Sequence, residues 1–252
     1  MQHVSKNSPV VFLDFDGVLF LTLREVFAIC QFLTAKYDDY RDDVSFEEFC
    51  SFRRHLTDAW QFNLLYHRKS VFKEFCSLSH FEKNKDDELF ARRFFETRAD
   101  YNSNYDTSDL FEATKFFLNL LPALKSMPEK FAIVSTRNRV SILAVFKSYG
   151  LVGIPIFGQE QVQRHGTKFN TLLQNGLIEH PEHVLIVDDM QSHLHPFQNL
   201  GVNCIQADWG YDVPGECAFD VQSSTHAVLT FISANQNYKT WDKVKKLAAR
   251  KL

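Results

Sequence analysis

Hydrophobic and polar positions alternate in two different ways along this chain. Between Phe20 and about Phe117, apolar residues recur every three or four positions among charged ones, as they do in amphipathic helices. From about Leu118 onward, short apolar runs alternate with helical stretches, which is typical of strands connected by helices. The sequence therefore predicts an all-helical block and an α/β region.

The predicted elements can be placed along both regions. The helical block contains four amphipathic stretches, at 25–37, 46–54, 70–75 and 87–98. The α/β region contains predicted strands at 130–135, 154–157, 184–188 and 202–206. Predicted helices lie between them at 139–149, 167–175 and 194–200. Because parallel strands need such crossover helices, we predict an α/β fold with a doubly wound, Rossmann-like parallel sheet.

A further apolar run, at 10–13, comes before the helical block and predicts a buried strand. This strand has no parallel partner near it in the sequence, so the helical block must be an insertion that follows it. We therefore predict two domains. Residues 1–20 and 118–252 form the α/β core, and residues 21–117 form an inserted, all-helical cap.

Composition and charge narrow the class of protein. The 252 residues include 28 basic and 31 acidic ones, and the resulting net charge of -3 offers no general attraction to nucleic acid or to anionic membrane. The stretch 1–9 is polar, unlike a signal peptide, and no apolar run approaches the roughly 20 residues of a membrane span. We expect a cytoplasmic protein with no nucleic-acid or membrane partner, and the sequence carries no indication of its oligomeric state.

Polar side chains follow three of the predicted strands, and a lysine opens one of the predicted helices. These residues are Asp14, Asp16, Ser135, Thr136, Lys168, Asp188 and Asp189. The carboxyl ends of parallel strands meet at one edge of a sheet, where ligands bind in open α/β folds. If the strands are neighbours, these side chains converge on one site.

The chemistry of this set indicates a metal and a phosphoryl group. Asp188 and Asp189 are adjacent acids, and two carboxylates that share a site repel each other unless a cation lies between them. Hard oxygen ligands suit Mg²⁺ better than zinc. Mg²⁺ beside a serine hydroxyl and a lysine neutralises the charge of phosphoryl oxygens. Taken alone, Asp14 and Asp16 are equally consistent with an acidic loop that has no chemical role.

Together, in this order, the motifs resemble those of the haloacid dehalogenase superfamily, in its phosphatase branch with a helical cap inserted after the first strand. That group includes phosphoglycolate phosphatase and β-phosphoglucomutase. The four matching motifs are Asp14-Phe15-Asp16-Gly17, Ser135, Lys168 and Asp188-Asp189. The stretch Trp209-Gly210-Tyr211 is similar to the loop that follows the last core strand in phosphoglycolate-phosphatase-like members.

This resemblance implies catalytic roles for five residues. Asp14 would attack phosphorus and form an aspartyl phosphate. Asp16 would protonate the leaving oxygen and then activate water to hydrolyse the intermediate. Ser135 and Lys168 would hold the phosphoryl oxygens, with help from amide groups near Thr136.

The resemblance also implies a Mg²⁺ site. Asp14, the backbone carbonyl of Asp16, and Asp189 would hold the ion, and Asp188 would be an additional ligand or a neighbour of the ligands. His193 departs from the pattern, because the fourth motif often carries a further Asp or Asn at that position. A hydrogen-bond donor close to the metal ligands and a plain polar residue at a helix start are both open for His193.

The expected function is that of a Mg²⁺-dependent phosphatase that hydrolyses a small phosphorylated metabolite. Asp16 argues against dehalogenase chemistry, because a halide leaving group needs no acid. A phosphomutase with the same intermediate is an alternative, and so is a regulatory protein that binds Mg²⁺ and phosphate without turnover. The cap is expected to select the substrate. Basic side chains that could meet an anionic substrate are Arg53, Arg54, His55, His67, Arg68, Lys69, Arg92 and Arg93.

Overall fold

The structure is a computed structural model that describes residues 11–53, 56, 59–67, 83–104, 110–211, 215 and 217–235. The chain divides into two compact units, one of Met1–Leu21 and Ala113–Leu252 and the other of Thr22–Glu112. The helix predicted at 70–75 lies outside the described residues. None of the helices in the described part of the chain is both long and apolar enough to cross a lipid bilayer.

The first unit is built on a parallel sheet with the strand order β5-β4-β1-β6-β7-β8. Its strands are β1 (Val11–Leu13), β4 (Phe131–Val134), β5 (Ile156–Phe157), β6 (Leu185–Asp188), β7 (Asn203–Ala207) and β8 (Ala218–Phe219). Two short strands, β2 (Phe20–Leu21) and β3 (Glu112–Ala113), form a separate two-stranded sheet where the inserted segment begins and ends. The parallel α/β class predicted from the sequence is confirmed.

Strand β1 lies at the centre of the large sheet. Leu13 pairs with Ile133 of β4 on one side and with Val187 of β6 on the other. Every residue of β1, β4 and β6 is buried, which explains why the three strands are continuous apolar runs in the sequence. The registers place the residues that follow Leu13, Ile133 and Val187 at the same edge of the sheet.

The described part of this unit contains six α-helices. They are α5 (Lys115–Ser126), α6 (Arg139–Ser148), α7 (Gln159–His165), α8 (Lys168–Gln174), α9 (Gln191–Asn199) and α10 (Val221–Asn235). Side-chain oxygens start three of them: Thr114 caps α5, Asn138 caps α6 and Thr167 caps α8. The Thr167 cap fixes Lys168 as the first residue of α8.

One core cluster of this unit fills the space between the sheet and helices α8 and α9. Phe12 of β1 and Ile186 of β6 pack there against Leu172 of α8 and against Leu194 and Phe197 of α9. All five side chains are almost completely buried. This apolar layer holds the central strands and the start of α8 in fixed positions relative to each other.

The second unit is helical in its described part. It contains α1 (Leu23–Lys36), α2 (Phe46–Arg53), α3 (Phe62–Tyr66) and α4 (Lys85–Asn104). Its core is rich in phenylalanine, including Phe49, Phe62 and Phe94. The rings of Phe49 and Phe62 stack at a centroid distance of 5.3 Å. These described phenylalanines of the helical block therefore belong to a packed core.

A buried ion pair joins α1 and α4 of the second unit. Arg98 of α4 donates two hydrogen bonds to the carboxylate of Glu25 of α1, at 2.9 and 2.8 Å. Both side chains are buried, and the guanidinium also lies 5.1 Å from the ring of Phe94. This bidentate interaction fixes the register between α1 and α4.

Candidate active site

The residues singled out from the sequence meet at the carboxyl edge of the central strands. Asp14 directly follows β1, and its N–H donates to the carbonyl of Val187 in β6 at 2.9 Å. Asp188 is the last residue of β6, and Asp189 follows it. Asp14 is 4 % exposed and both of the other acids are 1 % exposed. Three carboxyl groups thus lie in the protein interior, where each needs a cation or hydrogen-bond donors to offset the cost of burying its charge.

Lys168 supplies part of that compensation. Its ammonium nitrogen lies 2.7 Å from Oδ2 of Asp14 and 2.7 Å from Oδ2 of Asp188. The lysine side chain is itself buried, and it belongs to the first residue of α8. Lys168 therefore bridges Asp14 of the first motif and Asp188 of the fourth motif.

The electrostatics of this cluster differ from one member to the next. Burial, opposed by Lys168 and reinforced by Asp188 and Asp16, raises the pKa of Asp14 to about 6. Burial also disfavours ionisation of Asp188, but Lys168 and His193 prevail and lower its pKa well below the usual range. Although burial works against its charge, Asp14 and Asp188 raise the pKa of Lys168. Lys168 therefore remains a cation.

His193 faces the same cluster. Its Nδ1 lies 3.0 Å from Oδ1 of Asp188, which also accepts a hydrogen bond from the N–H of Met190 at 2.9 Å. His193 lies in the first turn of α9, whose start places it above the strand end. Of the two interpretations left open for His193, the structure favours the partner of an acidic residue over a solvent-facing helix residue.

Asp189 has different surroundings. Its Oδ2 accepts a hydrogen bond from the N–H of Tyr211 at 2.9 Å, and its carbonyl accepts one from the buried amide of Gln206 at 3.1 Å. Gly17 and Gly210 both press against it, so closely that a Cβ atom at either position would collide with the Asp189 side chain. Two backbone segments thus enclose this carboxylate, one of them directly after Asp16.

Asp16 is held by a cation of its own. Nε of Arg137 donates to both carboxylate oxygens of Asp16, at 2.9 and 3.1 Å, and Nη2 donates to Oδ1 at 2.7 Å. The Arg137 side chain is completely buried, whereas that of Asp16 is 20 % exposed. The two acids of the first motif are therefore assigned to different cations, Asp14 to Lys168 and Asp16 to Arg137.

The second motif lies beside this ion pair. Ser135 directly follows β4 and is fully buried, and Thr136 is exposed. Oγ of Ser135 accepts a hydrogen bond from the N–H of Arg137 at 3.3 Å. The hydroxyl hydrogen of Ser135 is therefore directed elsewhere and can be donated to an anion.

The donor set fits a divalent metal ion. Four carboxylates, those of Asp14, Asp16, Asp188 and Asp189, face two cationic side chains, which leaves an excess of two negative charges. Ligand atoms of Asp14, Asp188 and His193 lie within 4.8 Å of one another. The Lys168 ammonium already bridges the two acids of that trio, so Asp189 is the better second carboxylate beside Asp14 for an ion. Oxygen donors and this charge excess match Mg²⁺.

Arg137 and Gln206 are the site residues that sequence reasoning missed. Arg137 lies two positions after Ser135, in the loop that follows β4. This position is the feature of the sequence that could have indicated that its side chain reaches the site. Gln206 lies in β7, is buried, and pairs in register with Asp188. A polar residue within a buried strand is the feature of the sequence that could have indicated its role. Both became recognisable only when the strand order was known.

The basic residues of the helical unit are engaged in several ways. Arg53 donates to the carbonyl of Leu56 at 2.8 Å, and Arg93 lies 3.2 Å from Asp39 and over the ring of Tyr37. The remaining predicted substrate contacts within the described part of the chain are His67 and Arg92, while four lie outside it: Arg54, His55, Arg68 and Lys69.

Solved structures whose fold is similar to that of this chain include a haloacid dehalogenase-like hydrolase and a predicted phosphoglycolate phosphatase. A haloacid dehalogenase-like hydrolase from Streptococcus pneumoniae is 13 % identical, with a TM-score of 0.61 over 88 % of this chain and 98 % of that one. A predicted phosphoglycolate phosphatase from Haemophilus somnus is 15 % identical, with a TM-score of 0.58 over 88 % of this chain and 98 % of that one.

A third similar structure is assigned provisionally as a β-phosphoglucomutase, from Thermotoga maritima. It is 14 % identical, with a TM-score of 0.52 over 88 % of this chain and 99 % of that one. No protein-family model and no curated protein matches the chain. At these identities the likeness concerns the fold, so the activity has to be argued from the site.

Proposed function

We propose that this protein is a Mg²⁺-dependent phosphatase that hydrolyses a small, soluble phosphomonoester through an aspartyl-phosphate intermediate. One observation carries the proposal. Asp14 and Asp16 follow the central strand two residues apart, yet Asp14 is paired with Lys168 and Asp16 with Arg137. Asp14 is buried beside Lys168, as a nucleophile held next to a phosphoryl-binding cation would be, whereas Asp16 is 20 % exposed and can exchange a proton with a leaving group and with water.

The first half of the reaction transfers the phosphoryl group to Asp14. A carboxylate oxygen of Asp14 forms a bond to phosphorus, and the bond from phosphorus to the leaving oxygen breaks with its electron pair on that oxygen. Asp16, in its protonated form, donates its proton to the leaving oxygen, and the alcohol departs. Lys168 and the Ser135 hydroxyl hold the phosphoryl oxygens and offset their charge.

The second half regenerates the enzyme. Asp16, now a carboxylate, takes a proton from a water molecule whose oxygen bonds to phosphorus. The bond between phosphorus and Asp14 breaks, which releases inorganic phosphate and restores the Asp14 carboxylate. Asp16 ends the cycle protonated, so atoms and charge balance over the two halves.

Mg²⁺ would be held by Asp14, the carbonyl of Asp16, and Asp189, with Asp188 beside it. When bound, it would neutralise phosphoryl charge and so lower the repulsion that an anionic nucleophile meets. The excess of two negative charges in the cluster supports this assignment, and so does the tight enclosure of Asp189 by Gly17 and Gly210.

Phosphate release from a panel of small phosphomonoesters tests the proposal. The panel contains sugar phosphates, nucleotides, phosphoglycolate and phosphoamino acids, each with Mg²⁺ and with EDTA. We expect turnover of at least one ester with Mg²⁺, none with EDTA, and none from Asp14→Asn. Asp208→Asn is the matched control, because Asp208 is an exposed acid that follows another strand of the same sheet, and it should retain full activity. Turnover by Asp14→Asn would refute the mechanism.

The likeness to the Thermotoga maritima protein favours one second candidate, a phosphomutase. In that reaction the aspartyl phosphate would pass its phosphoryl group to another hydroxyl of the substrate instead of to water. Product analysis separates the two. Inorganic phosphate that forms in step with substrate loss, without an isomeric phosphate, identifies the hydrolase.

A further inference from the structure

Arg137 is placed so that it acts on Asp16 and not on a substrate. Each nitrogen of its guanidinium has a partner within the same unit: Nε and Nη2 donate to Asp16, and Nη1 donates to Oγ of Ser141 at 3.3 Å. The side chain is completely buried. A phosphoryl group therefore cannot reach this guanidinium from solvent, unlike an arginine that binds substrate directly.

The surroundings of Arg137 also keep it in place. Its central carbon lies 5.6 Å from the centroid of the Phe15 ring, and its carbonyl accepts a hydrogen bond from Gln159 at 2.8 Å. The backbone N–H of Arg137 donates a hydrogen bond to Oγ of Ser135. A planar guanidinium fixed in this way offers its donors in one plane and one direction.

The carboxylate of Asp16 takes its direction from this contact. A forked interaction that engages both oxygens opposes rotation of the carboxylate, whereas a single hydrogen bond would permit it. Asp16 has to face the leaving oxygen and later a water molecule, and proton transfer requires hydrogen-bond reach in each case.

We propose that Arg137 is a positioning residue, whose guanidinium holds the Asp16 carboxylate in the orientation from which it exchanges its proton. This inference rests on the proposed phosphatase function. It assigns Arg137 to the proton-transfer steps and not to substrate binding. The consequence is a dependence on the leaving group. An alkyl phosphate needs a proton on its departing oxygen, whereas p-nitrophenyl phosphate has a leaving group that departs without one.

The experiment compares Arg137→Met and Arg137→Lys with Asp16→Asn and the wild type. Single-turnover phosphoenzyme formation and steady-state kcat and KM are measured with an alkyl phosphate and with p-nitrophenyl phosphate. For Arg137→Met we expect a loss of about 10²-fold in phosphoenzyme formation from the alkyl ester, the scale of a misplaced catalytic group. Formation from the aryl ester and KM for either ester should stay near the wild-type values.

The double variant tests whether Arg137 works through Asp16. Adding Arg137→Met to Asp16→Asn should cause little further loss, because the group that Arg137 orients is already gone. Arg137→Lys should show the same leaving-group pattern to a smaller degree, and it carries the test if Arg137→Met does not fold. Arg139→Met, an exposed arginine two positions away, is the matched control and should behave as wild type.

The outcomes separate the two proposals. A wild type without turnover overturns the phosphatase function and this inference together. An active wild type overturns the positioning role alone if its Arg137 variants form phosphoenzyme more slowly from both esters to the same degree, or if the loss adds to that of Asp16→Asn. Unchanged kinetics in the folded Arg137 variants also overturns it. A loss of phosphoenzyme formation that is confined to the alkyl ester and absent from the Asp16→Asn background supports it.

Discussion

The ammonium nitrogen of Lys168 lies 2.7 Å from the carboxylate of Asp14, and the two side chains are only 3 and 6 % exposed. This contact joins the first residue of α8 to the end of β1, and it extends to Asp188 at the end of β6. One cation thus connects three separate stretches of sequence, so that a change at Lys168 bears on both the stability and the activity of the site.

Replacement of Lys168 by Met should therefore lower both properties. Two buried carboxylates lose their shared partner, and breaking a buried ion pair from one side costs about 3–5 kcal/mol in the free energy of unfolding. Phosphatase activity should fall by about 10²–10³-fold, as it does when one donor to a transition-state oxyanion is removed. Urea denaturation and phosphate release measure the two effects. Lys147→Met, in an exposed position on α6, should change neither.

The enclosure of Asp189 predicts a metal-specific defect. In Gly210→Ala the new Cβ would collide with Asp189 and shift its carboxylate. Changes next to metal ligands typically weaken metal affinity by about 10–100-fold, so the Mg²⁺ concentration for half-maximal activity should rise by that factor. Gly201→Ala is the comparison for strain alone: no neighbour lies within 4 Å of its added Cβ, but its φ of 82° disfavours alanine, so it should lose stability without a change in the Mg²⁺ requirement. An unchanged Mg²⁺ requirement in Gly210→Ala would argue against Asp189 as a ligand.

The ion pair between Glu25 and Arg98 should matter for stability in an asymmetric way. Glu25→Gln leaves a buried guanidinium without its charge partner and should cost about 3–5 kcal/mol, whereas replacing both residues by Met should be nearly neutral. Fluorescence-monitored urea unfolding measures both. The exposed pair of Lys36 and Asp100 joins the same two helices at 3.7 Å, and Asp100→Asn should cost less than about 1 kcal/mol. An equal loss in the single and double variants would contradict this account.

Cysteine reactivity should depend on pH in a characteristic way. Burial, with smaller contributions from Cys217 and Asp188, raises the pKa of the Cys204 thiol to about 12. The thiolate is the reactive form, so alkylation of Cys204 in the folded protein should accelerate about tenfold per pH unit between pH 7 and 10. In urea the rate should level off above about pH 8.5, the ordinary pKa of a cysteine. Iodoacetamide labelling followed by peptide mass spectrometry measures the rates, and a plateau near pH 8.5 in the folded protein would refute the prediction.

The core strands and the edge that carries the acids were predictable from the sequence for a physical reason. Strands β4 and β6 are buried on both faces, so each appears as an uninterrupted apolar run that ends in polar residues. The predicted elements at 130–135 and 184–188 contain the observed strands Phe131–Val134 and Leu185–Asp188. Parallel pairing then forces their ends to one edge.

Other elements carried too weak a pattern. Helix α10 has no Asp, Glu, Lys or Arg to contrast with its apolar residues. Its serines and threonines also occur frequently in turns, so its sequence does not indicate a helix clearly. Helix α7 buries a single apolar residue, Val162, and β8 has only two residues. These elements are determined by packing against the sheet, which a local pattern does not contain.

The contacts of individual side chains in the site were also only partly predictable from the sequence. Lys168 was placed by its motif, but its bridge between Asp14 and Asp188 depends on the position of α8 relative to the strand ends. Arg137 was visible in the loop after β4, yet an arginine is long enough to point to solvent or inward. Only the pairing of β4 with β1 determines that it reaches Asp16.

The central position of β1 has a consequence for the order of events during synthesis. This strand is translated before both of its neighbours in the sheet, which begin only at Phe131 and Leu185. The strands that pair with β1, and the cations Lys168 and Arg137 that pair with the acids behind it, are translated only after the helical insertion, and such long-range pairing slows folding. The nascent chain therefore acquires its candidate catalytic centre late, after the whole helical insertion and Asp188 have been translated.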